Sequence, residues 1–377
     1  MRALAGCLCL SLACVTAQPV LAPPTGDEVT IFVHGYKGAF LATADGELAW
    51  LTPGQAFSHG EKSLALPFEG QRDTPPRYGP LTVVGPMTKL TIVPLAIEET
   101  LYLPFIEWGK DHLPGFMVFA YDWRQDIRSS AEQLCTRIES LGPNRRVNIV
   151  AHSMGGLVTL HCLRHGPPGA REAVKHVVFA GTPFKGSAGP WDDLFIGNTT
   201  ARNSALMPAS ALLTFSSTWQ LLGPDSDFLI DQQVFEPTPL DPFSPDTWVK
   251  LGWGVFRDPT LRDNPAYRRQ LEARLWARSE FWAGMGDEAP TDDPSTRWKS
   301  LAIIGTGRPT EASWVFRPDR TFDFEHPRLA DGDGTVLTAR ANPPKPIHSA
   351  SFETGAEHAV LLNDAAVQSA IAAFITE

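Results

Sequence analysis

The stretch VNIVAHSMGGLVTLHCL (Val147–Leu163) changes character halfway along. Its first residues form a short apolar run rich in β-branched side chains, which suits a buried strand. From Met154 onward the apolar residues recur at helical spacing. A strand that runs directly into a helix lifts the side chain at the junction above the sheet edge, and small neighbours are needed because the backbone is crowded there. Ala151 stands two residues before Ser153, Gly155 two after, and Gly156 adds a second glycine. Ser153 is therefore the candidate nucleophile. A helix N-cap serine would account for the hydroxyl but not for the whole strand–turn–helix unit.

Outward from this unit, strand and helix patterns alternate. VTIFVHG (Val29–Gly35) and FMVFAYDW (Phe116–Trp123) read as strands, with further candidates near residues 81–94. DIRSSAEQLCTRIESLG carries Ile127, Leu134, Ile138 and Leu141 near one side of a helix. VKHVVFAGTP and, much later, SLAIIGTG (Ser300–Gly307) resume the strand pattern, and DAAVQSAIAAFI reads as a terminal helix. This alternation predicts an α/β fold with a mostly parallel sheet and helices on both faces. The expected core is 18–184 and 300–377. Between 185 and 299 the alternation is lost, and this stretch holds seven of the eleven tryptophans, split by proline-rich breaks. It is expected to be an inserted cap or lid. Its aromatics either form that subdomain's own core or face a lipid-like substrate, and the two readings are compatible.

A serine hydroxyl attacks only when a base removes its proton, and a histidine base needs an acid to orient it. The expected chain order is Ser, Asp, His. LADGDGTVLTAR supplies Asp331 and Asp333 in a turn expected after the last strand. Asp333 is preferred because the chain turns immediately after it; an Asp-Gly turn role is the plain alternative for both. His358, in SFETGAEHAVLLND, is the expected base, with His348 as its nearest rival. The developing oxyanion requires two N–H donors, expected from Met154 after the nucleophile and Tyr36 after the first strand. His34 and His152 are expected to brace the site.

The balance of 43% hydrophobic and 20% charged residues over 377 fits a folded chain. A formal charge of −10 gives no bulk attraction to nucleic acid. Residues 1–17 pair Arg2 with an apolar run ending in VTA, which predicts a secretory signal peptide. Cys14 and Cys7 are alternative lipidation positions within it, so the expected destination is secretion or the cell envelope. No later run is apolar enough for a membrane span, and no Cys/His metal cluster stands out. Cys135 and Cys162 either pair or remain as two buried thiols; spacing leaves both open.

With FVHGYKG, AHSMGG, GTPFKG, DGDGTV and EHAVLLND in this order, the chain resembles the α/β-hydrolase superfamily on its lipase side. YDWR (Tyr121–Arg124) and DGDGTV are similar to the lecithin:cholesterol acyltransferase and lysosomal phospholipase A2 group. The resemblance covers about residues 29–184 and 300–375. It implies ester hydrolysis through Ser153, Asp333 and His358, with Tyr36 and Met154 as oxyanion donors, and it requires no cofactor or metal. It also implies a structural or pocket-rim role for Asp122 and Arg124. Ala151 departs from the usual first glycine of the turn, and His34-Gly35 stands where the acyltransferase group usually has Pro-Gly. The expected function is a triacylglycerol lipase or lipase-like carboxylesterase acting on an apolar ester, with lipid-interface contact through the cap. Phospholipase A or acyltransferase activity and a non-catalytic lipid-binding protein are the alternatives, with a peptidase more remote.

Overall fold

The computed structural model describes residues 26–57, 61–72, 75–88, 90–93, 97–99, 101–231, 240–286, 298–344, 347 and 349–377. The expected leader at 1–17 with its Cys7, Cys9 and Cys14, and the rival base His348, lie outside the described residues.

Six strands form the central sheet: β1 (Glu28–Val33), β2 (Met117–Phe119), β3 (Arg146–His152), β4 (Val174–Ala180), β5 (Lys299–Gly305) and β6 (Ser349–Thr354). Their spatial order is β6-β5-β4-β3-β1-β2, and every neighbouring pair is parallel. Side chains alternate across a strand, so each strand feeds two cores. Val29, Ile31 and Val33 of β1 join the core containing helices α2 (Ile127–Glu139) and α3 (Met154–His165). Phe32 joins the other, with α1 (Leu103–His112) and α6 (Ala365–Ile375). Coverage on both faces explains why the inner strands read as near-continuous apolar runs. This is the α/β-hydrolase fold.

Local chemistry fixes the helix starts. The Asp126 carboxylate accepts the Arg128 N–H at the head of α2, and that of Asp364 accepts the N–H groups of Ala366 and Val367 at the head of α6. Cys135 of α2 and Cys162 of α3 form a disulfide, which resolves the pairing that spacing left open. Among the described residues no helix is long and apolar enough to cross a membrane.

Several strands lie elsewhere than the sequence suggested. Leu81–Pro86 pairs antiparallel with Ala39–Thr43, and Leu90–Val93 with Ile97–Glu99, outside the central sheet. The turn holding Asp331 and Asp333 does not follow the last strand, because β6 comes after it. Asp331 lies instead in the second strand of an antiparallel pair, Arg308–Phe316 with Phe322–Gly332, and Asp333 just beyond it; the first strand also pairs with Leu229–Asp231. The 185–299 stretch otherwise consists mainly of helices, including α4 (Pro190–Ile196) and α5 (Pro265–Gly284). Near its start, Gly186 and Gly223 take φ of 81° and 82° and lie back to back, leaving no room for a Cβ on either.

Candidate active site

In a parallel sheet, loops at the carboxyl ends of the strands gather on one edge, and ligands bind there where the strand order reverses. The order reverses at β1, flanked by β2 and β3. Val33 of β1 is level with Ala151 of β3, so the loop after β1 lies beside Ser153. Ser153 has φ 55° and ψ −127°, a conformation that side chains other than glycine rarely adopt. Its N–H donates to Ala180 O (2.8 Å), which pins the turn to β4. Gly155 backs onto the Val33 and His34 carbonyls too closely for a Cβ. That contact is the physical reason for the small residues in the sequence motif.

The structure brings Ser153, His358 and Asp333 together. His358 Nε2 is 2.9 Å from Ser153 Oγ, and its Nδ1 is 2.7 Å from Asp333 Oδ2. A carboxylate only accepts, so Nδ1 carries the proton and Nε2 is left to accept from the serine. The other carboxylate oxygen, Asp333 Oδ1, accepts the N–H groups of Thr335 (2.9 Å) and Val336 (2.7 Å). Burial pushes the Asp333 carboxyl up, but the His358 charge and hydrogen bond with these two donors outweigh it, and the group sits below its ordinary range. His358 N–H also donates to Asp333 O (3.0 Å), joining the two loops through their backbones. Asp331 is exposed and turns away, accepting from Gly307 N–H and Thr338 Oγ1 at 2.7 Å each. Of the two aspartates, Asp333 contacts the His358 ring, and Asp331 is engaged elsewhere.

The backbone N–H groups of Tyr36 and Met154 have no acceptor among the described residues. A Cβ on the intervening Gly35 would meet Ser153 Cβ at 2.8 Å, so the loop approaches the nucleophile as closely as its backbone allows. The Tyr36 ring packs edge-on to Trp123, and its hydroxyl is 2.7 Å from Thr218 Oγ1. Lys37 pairs with Asp193 of α4 at 3.4 Å. The 185–299 stretch thus grips the loop that carries one candidate oxyanion donor. It also reaches the acid loop: Ser187 Oγ donates to Thr335 O at 2.8 Å, and Arg340 bonds Lys185 O, Asp225 and Asp227.

His34 and His152 both hydrogen-bond into the loops around the site. His34 stacks on Tyr121 with centroids 4.3 Å apart, donates from Nδ1 to Gly35 O and accepts Tyr121 N–H. Burial lowers its pKa to about 4. His152 has its pKa pushed down to about 3, first by burial and then by the neighbouring His358, so the ring is neutral. Its Nε2–H donates to His358 O (2.9 Å), which leaves Nδ1 to accept from the Tyr102 hydroxyl (2.8 Å). Tyr102 in turn accepts Gly35 N–H (3.1 Å). A directed chain of hydrogen bonds therefore runs from the Gly35 N–H, through Tyr102 and His152, to the backbone of His358. Tyr102 carried no sequence signal, because it stands in an unpatterned stretch before α1. Gly181, at φ 58° behind the His358 ring, was also missed.

In YDWR, Arg124 is buried and holds Asp122 bidentately at 2.9 and 2.7 Å while donating to Leu64 O. Trp123 donates its indole N–H to Ala39 O at 3.2 Å. The motif ties together the segments beneath the site.

Residues 105–242 match the family model described as lecithin:cholesterol acyltransferase. The human lysosomal phospholipase A and acyltransferase is 23% identical over 288 residues, covering 71% of this chain and 60% of its own length. An uncharacterized protein of Saccharomyces cerevisiae is 26% identical over 140 residues, covering 36% of this chain and 20% of its own. The chain thus spans between a fifth and three fifths of the length of these relatives. Among solved structures, the Tle4–Tli4 complex aligns with a TM-score of 0.55 at 16% identity, over 92% of this chain and 98% of that one. The chain has the α/β-hydrolase fold, and over residues 105–242 it resembles the lecithin:cholesterol acyltransferase family model.

Proposed function

We propose that the protein is a serine hydrolase of carboxylic esters, of the lipase and carboxylesterase kind, working through an acyl-serine intermediate. The observation that carries this reading is the unbroken relay from Ser153 Oγ through His358 to Asp333, beside two unpartnered N–H groups. Ser153 Oγ attacks the ester carbonyl as its proton passes to His358 Nε2. The N–H groups of Tyr36 and Met154 hold the oxyanion, a contribution on the order of several kcal/mol. Asp333 stays ionised and stabilises the imidazolium. The tetrahedral adduct collapses, the C–O bond to the alcohol breaks, and the alkoxide takes the proton from Nε2. Water, giving its proton to the same nitrogen, then attacks the acyl carbon; the bond to Ser153 Oγ breaks, Oγ takes the proton back from Nε2, and the acid leaves.

The family match and the human relative favour a second reading, phospholipase A with acyl transfer. The first half-reaction is the same; an alcohol replaces water in the second. The disulfide between Cys135 and Cys162 supports export to an oxidising compartment, in line with the expected leader.

The test is hydrolysis of p-nitrophenyl esters from C2 to C16, with Ser153→Ala beside the wild type. Activity that rises towards C8–C16 and vanishes in the variant supports a lipid-ester hydrolase. Activity confined to C2–C4 makes the tryptophan-rich stretch packing, with no acyl contact. Folded protein inactive on every chain length rejects the mechanism for these substrates and brings forward the lipid-binding reading. Phosphatidylcholine against triacylglycerol, each with and without added alcohol, then separates the two enzymatic readings.

A further inference from the structure

The side of the molecule formed by the end of α4, the helix Pro245–Leu251 and the antiparallel pair carries a groove of about 470 Å³. That volume lies within the usual range of small-molecule sites. Its floor is aromatic. Phe195 packs against Trp253 (5.0 Å), Phe322 (5.0 Å) and Phe324 (5.4 Å), and all four line the groove.

The rim is basic. Lys250, Arg257, Arg262 and Arg320 line it, against a single acidic residue, Asp319. All four cations are exposed. Arg262 pairs with Asp263 at 3.4 Å; Lys250, Arg257 and Arg320 make no ion pair among the described residues. Asp319 is engaged locally, accepting from Thr321 N–H and Oγ1. A concentration of positive charge on a chain of net −10 is a local field opposed to the global one. One further observation points to a ligand with an apolar part beside its anionic group: Ile196, on the same groove, is 55% exposed.

We propose that this groove docks the protein on a membrane surface by taking the headgroup of an anionic phospholipid. The basic rim meets the phosphate. The aromatic floor takes the glycerol and first acyl carbons, and Ile196 enters the interface beside it. Helix α4 joins this face to the candidate active site: Ile196 ends the helix at the groove, and Asp193 one turn earlier holds Lys37 next to Tyr36. The docked face and the candidate oxyanion loop therefore share one short helix.

The inference stands apart from the ester chemistry, and its test does as well. Wild-type protein is sedimented with vesicles of ether-linked phosphatidylcholine, with or without 30% ether-linked phosphatidylglycerol, neither of which an ester hydrolase cleaves. The expected result is binding at least tenfold tighter to the anionic vesicles, declining with salt. K250E/R257E should lose at least tenfold of that affinity, since each basic side chain at an anionic surface is worth roughly fivefold. R320E alone should lose less, K250R/R257K should retain binding, and Ile196→Ser should weaken binding without changing its salt dependence. Melting temperatures within a few degrees of wild type show that the variants fold. Equal binding to both vesicle types, or unchanged binding by K250E/R257E, overturns the proposal. So does a salt-sensitive dimer lost in K250E/R257E with no vesicle binding, which would give the face to a second copy of the chain. Failure of the ester assays leaves this result standing.

Discussion

The rim of the central sheet and the 185–299 stretch are held by different forces. On the rim, His34, Tyr102, His152, Asp333 and His358 sit in directed hydrogen bonds, many of them to backbone atoms. In the 185–299 stretch aromatic faces and edges meet: Trp219 on Trp248 (5.0 Å), Trp248 on Phe195 (4.9 Å), Trp253 on Phe195 (5.0 Å). Trp191 and Trp253 even bury indole N–H groups without an acceptor among the described residues. Directed bonds fix atoms to fractions of an ångström, which proton transfer needs. Apolar packing specifies volume and tolerates exchange of shape. The first arrangement fixes positions of polar atoms, and the second fixes a packed volume.

That contrast breaks most visibly at the relay. Ser153→Ala should lower kcat/KM on a soluble ester by roughly 10⁴-fold or more, and Asp333→Asn by about 10³–10⁴-fold. Asp331→Asn should stay within about threefold. Steady-state kinetics on folded variants reads all three, and a large loss for Asp331→Asn would overturn the assignment of the acid.

The next largest effect belongs to the 185–299 stretch and should appear in stability. Trp248 is buried, and truncation to alanine should cost about 3–5 kcal/mol in denaturant unfolding. Turnover of a C2 ester by the surviving folded protein should change little. A collapse of turnover in protein that remains folded would show that the aromatic cluster positions the reacting groups, and the comparison would fail.

A smaller effect is expected at Tyr102. Tyr102→Phe leaves the Gly35 N–H and His152 Nδ1 buried without partners, costing about 1–3 kcal/mol for each. The expected kinetic signature is a fall in kcat of about tenfold with KM unchanged, because the chain positions the oxyanion loop and His358 without touching substrate. A change in KM alone would mean that Tyr102 shapes the pocket.

The gentlest test is pH. His34 and His152 have folded pKa values near 4 and near 3, against 6.5 when unfolded. Between those limits the unfolded chain binds more protons, so stability rises with pH and is lost as pH falls below about 6.5. Each histidine contributes at most about 1.4 kcal/mol per pH unit within its window. Asp333, whose pKa is lowered on folding, adds a further loss as pH drops through its folded value. Melting temperature measured from pH 7 to 4 should fall, and His34→Gln should flatten the curve. A flat wild-type curve would mean that these rings are not buried neutral.

The sequence was most readable where structure is local. Val147–Leu163 showed a strand, a tight turn and a helix because each has its own periodicity, and Ser153 followed from the turn. The turn after Asp333 favoured it over Asp331 but left both open, because which carboxylate meets His358 depends on how distant segments pack. β6 escaped notice because it is an edge strand: Ser349–Thr354 is half-buried to exposed and carries no apolar run. The Cys135–Cys162 pair and the Tyr102–His152 contact were illegible because both depend on how distant segments pack, which spacing along the chain does not encode. Residues 1–17 remain an expectation from composition alone.

The back-to-back glycines at 186 and 223 have a consequence for how such a protein can change. They bring the two ends of the intervening stretch together, so that stretch is a loop already closed at its neck. Closing a longer or shorter loop on the same neck alters the entropy only logarithmically, by about 0.6 kcal/mol per doubling of length. Exposed turn positions between the two glycines, such as Ala201 and Arg202, are therefore where insertion or deletion costs little, whereas the neck admits no side chain and Trp191, Phe215 and Trp219 are fully buried. A lineage built on this scaffold would be expected to vary in length at such turns while keeping Gly186 and Gly223 fixed.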